Sequence, residues 1–291
     1  MMMLALLILP LPAVLAEISV VDDAGQQITL AQPAQRVVSL APNITELVFA
    51  AGAGDRLVGV SEYSDYPDAA RSIRRIGGGN GLDLEAIVGL RPDLVIAWQS
   101  GNPSQPVQRL LELGLTVFIS EPRQLQDIPE SLRRFGQLAG TAAVAARQIS
   151  DFERRHEQLN RRYSGQKPVS VFYQVWDRPL MTVNGQHLIS DVIRLCGGRN
   201  VFAELPALAP QITIEAVLAA NPEVIVTGSG SEPAEVSLAQ WRRWSGLSAV
   251  AHDHVFAIQH ELMVRHTPRI LQGAEQLCTL LDQVRIKKSG H

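Results

Sequence analysis

The chain has 291 residues, 46% of them hydrophobic and 19% charged, with a net charge of −3. That length suits two domains of ordinary size, each with enough apolar material for its own core. The slightly acidic balance leaves no basic footprint for nucleic acid, and two isolated cysteines do not make a structural zinc site.

Residues 1–16 are apolar, and the sequence turns polar at Glu17. Val14 and Ala16 supply the small residues expected before a cleavage point, so a signal peptide removed after Ala16 is predicted. Pro10 and Pro12 interrupt the apolar run, which is shorter than the roughly 18–20 residues of a membrane span. No Lys or Arg precedes it, and no cysteine near the cleavage point would carry a lipid anchor. The mature protein is expected to be exported.

From 17 to 138, apolar runs at Val37–Leu40, Leu57–Val60, Leu94–Ala97 and Thr116–Ile119 alternate with helical patterns. Alternation of this kind predicts an α/β lobe with a mostly parallel sheet. Residues 139–166 then read as one long helix. Ile149, Phe152, His156, Leu159 and Tyr163 form a single apolar stripe, and the remaining face is Arg, Gln and Glu. A helix of this length is a stiff rod of roughly 35 Å. From 167 to 291 the alternation returns, with runs at Val169–Tyr173, Val224–Thr227 and Val255–Ile258.

The two halves resemble each other. LEAIVGLRPDLVIAWQSG (84–101) matches IEAVLAANPEVIVTGSG (214–230) at a constant offset of 130 residues. Each copy begins after an N-cap residue, Asp83 or Thr213, and reaches a proline before a buried strand. ITELVFAAG (44–52) and ISDVIRLCG (189–197) make a second, weaker pair in the same order. The predicted fold is α/β: two similar lobes with central, mostly parallel sheets, joined by one long α-helix, with a ligand cleft between them.

Aromatic residues make up only 5% of the chain, and several follow predicted strands. Tyr63 and Tyr66 lie in SEYSDYP, Trp98 ends one strand and Trp176 follows another. Open α/β sheets bind ligands beyond the carboxyl ends of their strands. Flat apolar walls there suit a large planar ligand; the plainer reading is that each ring caps the core of its own lobe. Glu85 and Glu215 are each second in a helix, where a carboxylate stabilises the helix end. As a matched pair they would also suit docking to a dimeric partner carrying arginines.

Cys196 ends a predicted helix, and Cys278 lies within the last one. In an oxidising compartment they are expected to bridge, two buried free thiols being the alternative. The glycine-rich run 77–81 has no clear strand before it, so a dinucleotide site is not expected. His252, His254, His260 and His266 match no single helix face. A metal-dependent enzyme built on them is the alternative from another functional class, but no catalytic constellation accompanies them. Neither a resident metal nor a cofactor is expected.

Five segments, SLAPNITELVFAAG, VGVSEYSDYP, LDLEAIVGLRPDLVIAWQSGN, LISDVIRLCGGRNVF and RHTPRILQGAEQLC, together resemble the cobalamin-binding family. That family belongs to the helix-linked class of periplasmic solute-binding proteins, which also carries haem and ferric siderophores. The resemblance implies a monomer that holds cobalamin or a related corrinoid in its cleft as a transported ligand. It also implies delivery to the permease dimer of an inner-membrane ABC importer, docked through Glu85 and Glu215. Tyr63 and Trp98 match pocket aromatics of that family, while Trp176 falls one position from a pocket Phe. Glu261 and Arg265 match an acid and an arginine that face the ligand, with Glu here in place of Asp. Gly79 and Ala209 stand where the family has Trp. Haem or a ferric siderophore is the alternative ligand; a siderophore would prefer several basic residues in the cleft, where chiefly Arg265 stands out.

Overall fold

The computed structural model describes residues 17–78, 81–229 and 234–289; the expected signal peptide (1–16) and Gly79 lie outside these residues. An antiparallel hairpin opens them, β1 (Ile18–Val21) with β2 (Gln27–Leu30). Next come β3 (Val37–Ser39), α1 (Pro42–Ala50), β4 (Leu57–Val60) and the short pair β5 (Gly77–Gly78) and β6 (Gly81–Leu82). The first half continues with α2 (Leu84–Gly89), β7 (Leu94–Trp98), α3 (Ser104–Glu112), β8 (Val117–Ser120) and α4 (Asp127–Leu138). Helix α5 (Ala142–Tyr163) leads to β9 (Val169–Gln174), the hairpin β10 (Trp176–Asp177) and β11 (Leu180–Met181), α6 (Leu188–Leu195) and β12 (Gly198–Asn200). Last are α7 (Ile214–Ala220), β13 (Val224–Ser229), α8 (Ala234–Arg242), α9 (Ser248–Ala251), β14 (Val255–Gln259), α10 (His260–Val264) and α11 (Ile270–Ser289).

Two four-stranded parallel sheets organise the halves, in the orders β4-β3-β7-β8 and β12-β9-β13-β14. Taken in chain order within each lobe, both read second, first, third, fourth, so the duplication in sequence is a duplication of topology. The local signals repeat too. Asp83 accepts from Ala86 N at 2.9 Å to cap α2, and Thr213 accepts from Ala216 N at 3.3 Å to cap α7. Each helix is followed by a residue with positive φ just before its proline, Arg91 (47°) and Asn221 (40°). The central strands are buried on both faces, which is why they appear in sequence as unbroken apolar runs.

Seven of the eight sheet strands coincide with those runs. The eighth, β12, is the Gly-Arg-Asn of residues 198–200 and contains no apolar residue. Its backbone pairs in parallel with Val169–Val171, and Asn200 bonds through its side chain to Val183 O and Ser190 Oγ. The linking helix buries Ala145, Phe152, Leu159 and Tyr163. It packs on α1 and α4 at one end and on α6 and α11 at the other, so it is a shared wall as well as a rod. Cys196 and Cys278 are bonded and wholly buried, which ties α11 to the end of α6.

Candidate ligand cleft

Loops at the carboxyl ends of both sheets meet across the molecule, and the expected site residues lie in or beside them. Tyr63 follows β4 in a left-handed backbone conformation (φ 61°), and its side chain is open to solvent. Trp98 is the last residue of β7 and only partly exposed. Its ring meets His266 edge-on with centroids 5.5 Å apart, and Gly101 lies so close beneath it that a Cβ there would collide with the indole. Among the described residues, the buried Trp98 Nε1 has no hydrogen-bond partner. Trp176 is 55% exposed on the β10–β11 hairpin, where its Nε1 donates to Arg178 O. Trp98 therefore belongs to the lobe junction, whereas Tyr63 and Trp176 are free rings on opposite lobes. A cavity of about 780 Å³ on the flank of the first lobe is lined by Ile28, Trp98, Val107 and Leu111 and includes neither Tyr63 nor Trp176.

Arg265 is not a free donor facing the cleft. Its Nη1 donates to Glu46 Oε1 at 2.8 Å and to Asp65 Oδ1 at 2.7 Å, and its Nη2 donates to Tyr63 O at 3.2 Å. Glu261, four residues before it, is at 4.0 Å and accepts from Gln259 Nε2. Arg269 also reaches Glu46, at 3.1 Å, and lies 3.8 Å above the Tyr66 ring. Burial is the largest influence on Glu46 and raises its carboxyl above the ordinary range, with Arg265 and Arg269 opposing. At Asp65 burial acts the same way, but the hydrogen bond and charge of Arg265 outweigh it and the carboxyl is held low.

Two histidines complete the junction. His187 and His266 meet edge-on, 5.2 Å between centroids. Burial pushes His187 down to about 3, with His266 adding to the shift. It pushes His266 down to about 4 against the backbone at Pro122. Both are therefore neutral in the folded protein near neutral pH. Because the folded values lie below the unfolded one, their contribution is complete above about pH 6.5 and is lost as the pH falls toward 4. Each group then removes up to about 1.4 kcal/mol per pH unit. Urea unfolding at pH 6.5 and pH 5 is expected to reveal a loss of about 2–4 kcal/mol, much reduced in H187Q/H266Q. An equally steep loss in that double variant would contradict this assignment. Of the other C-terminal histidines singled out in the sequence, His252 stacks on His254, and His260 packs over Gly228. Among the described residues, no group of three or more His, Cys, Asp or Glu is placed to hold a metal ion.

Glu85 and Glu215 are exposed, each second in its duplicated helix, α2 or α7, and neither forms an ion pair among the described residues. A backbone amide and the Thr213 hydroxyl lower the Glu215 carboxyl. Each of these helices runs back into the strand after it, so its N-terminus lies at the cleft end of its sheet.

The sequence profile of the periplasmic binding protein family matches residues 37–262. The chain belongs to that family. A vitamin B12-binding protein of Vibrio cholerae is 40% identical over 250 residues, covering 86% of this chain and 90% of that protein. The crystal structure of periplasmic vitamin B12 binding protein BtuF of Vibrio cholerae superposes with a TM-score of 0.81 at 38% identity. That match covers 87% of this chain and 98% of the other. A periplasmic heme-binding protein, RhuT of Roseiflexus sp. RS-1, shares the fold with a TM-score of 0.73 at 22% identity, over 86% of this chain and 99% of its own. Like other members of this family, the chain has two lobes and a linking helix. No helix among its described residues is long and apolar enough to cross a membrane.

Sequence reasoning missed Glu46, Asp65, Arg269 and the His187–His266 contact. Glu46 had a signal: it is the one charged residue of α1, within PNITELVFA. A lone carboxylate on an apolar helix is rarely buried without a partner. The partner itself lies more than 200 residues away and has no local signature.

Proposed function

We propose that the protein captures cobalamin or a related corrinoid in the periplasm and delivers it to an inner-membrane ABC importer. The observation that carries this reading is the 40% identity to a vitamin B12-binding protein along nearly the whole of that relative. The open rings of Tyr63 and Trp176, one on each lobe, and Trp98 at the lobe junction would suit the broad apolar faces of a corrin ring. Glu261, 40% exposed, is available to accept from amide side chains at the ring edge. Arg265 would act largely through the residues it holds. The ligand is bound and released without chemical change, and residues 1–16 serve as a leader removed on export.

The two-lobed fold also serves haem binders, and haem or a ferric siderophore remains the alternative. Distinguishing them is simple: the protein is incubated with cyanocobalamin, desalted, and its visible spectrum recorded. Retained corrinoid absorbance at about one per chain supports the reading, and its complete loss on desalting counts against it.

Docking through Glu85 and Glu215 follows from their equivalent places on the two lobes. The double charge reversal, Glu85→Arg with Glu215→Arg, is expected to abolish uptake in a strain dependent on this protein while leaving ligand affinity unchanged. Each single reversal should impair uptake in part, since the other lobe still docks. Normal uptake by the double variant would remove the docking role.

A further inference from the structure

The weaker of the two internal matches, ITELVFAAG with ISDVIRLCG, pairs Glu46 with Asp191. Glu46 lies on α1, which follows the first strand of the first sheet; Asp191 lies on α6, which follows the first strand of the second. Both acids reach across to the other lobe, and each meets the segment that follows the fourth strand there. Glu46 accepts from Arg265 and Arg269 through Oε1 and from Thr267 Oγ1 through Oε2 at 3.0 Å. Asp191 Oδ2 accepts from Leu125 N at 2.8 Å, and its Oδ1 pairs with Arg194. His266, in the first of these segments, faces Pro122 in the second. Duplication has thus placed two acids in a pseudo-twofold exchange across the lobe junction.

We propose that Glu46 and Asp191 form a paired clasp that sets the spacing of the lobes and the presentation of Tyr63, and are positioning residues for ligand capture. Glu46 is 4% exposed. Separating the lobes there leaves a buried carboxylate without its donors until water replaces them, a state that folded proteins avoid. The two arginines that Glu46 anchors also hold the ligand loop: Arg265 takes Asp65 and the Tyr63 carbonyl, and Arg269 covers the Tyr66 ring. Tyr63 keeps a left-handed backbone that a bulky residue adopts only where its surroundings fix it. Without Glu46 the 265–269 turn would lose its anchor, and Tyr63 would lose the orientation that the turn maintains.

The ligand arm of the test rests on the corrinoid reading; the conformational arm does not. Spin labels at Gln105→Cys and Ala219→Cys, both exposed and outside the clasp, report the distance between lobes with the native disulfide left oxidised. In ligand-free E46Q, and more so in E46Q/D191A, the distance distribution is expected to broaden and lengthen. Stopped-flow release of cyanocobalamin should be about 10-fold faster in each single variant and on the order of 100-fold faster in the double, with association changed less than 3-fold. A purely structural role would lower resistance to urea while leaving release and lobe distance in the folded protein as in the wild type, and that result would overturn the proposal. If the double variant does not fold, T267V and R269Q remove donors to Glu46 singly and carry the same readouts. Wild-type protein that binds no corrinoid would refute the ligand reading alone, because the distance measurement still decides the clasp.

Discussion

Arg265→Ala is expected to destabilise the protein by about 3 kcal/mol, toward the low end of the range for breaking a buried ion pair because Arg269 and Thr267 still serve Glu46. The wild-type guanidinium joins two carboxylates and a backbone carbonyl at distances of 2.7–3.2 Å. Its removal takes one donor from the buried Glu46 and leaves the half-exposed Asp65 without its ion-pair partner and Tyr63 O without its donor. Arg265→Lys should recover only part of the loss, because an ammonium has no planar fork to span the three acceptors. Urea unfolding at pH 7 measures both. A change below about 1 kcal/mol for the alanine variant would mean that the cluster behaves like a solvent-screened surface pair.

The second large effect is that of the disulfide. Cys196 and Cys278 are separated by 82 residues and close much of the second lobe into a loop. The chain-entropy relation gives about 4 kcal/mol for such a loop, and measured losses fall in the range of about 2–5 kcal/mol. C196A/C278A should therefore unfold at clearly lower urea concentration, and the intact protein with reductant should follow it. Denatured, unreduced protein is expected to expose no free thiol. Two titratable thiols, or a double variant as stable as the wild type, would contradict this account.

The duplicated frame was legible because it is encoded locally. Asp83 and Thr213 cap, Pro92 and Pro222 stop, and a buried apolar run follows each, so the same signals could be matched along the chain without knowing any contact. Strand β12 escaped because backbone pairing with β9, rather than side-chain hydrophobicity, makes it a strand; its place after the second duplicated helix was the available clue. Aromatic placement identified Tyr63, Trp98 and Trp176 as strand-end residues. It did not distinguish Trp98, turned into the lobe junction over Gly101, from the open rings, since exposure depends on the opposite lobe. The ion cluster was the least legible part. The resemblance set Glu261 and Arg265 side by side as ligand-facing groups, but the short contacts of Arg265 come from Glu46 and Asp65 in the other half of the chain.

The central claim is the ligand class, and calorimetric titration of the mature protein tests it most directly. Cyanocobalamin, cobinamide, haem and a ferric siderophore would be titrated separately under one buffer condition. The account predicts saturable binding of cyanocobalamin at about one per chain and no comparable binding of haem or siderophore. Tight binding of haem or siderophore with no heat from either corrinoid would contradict it.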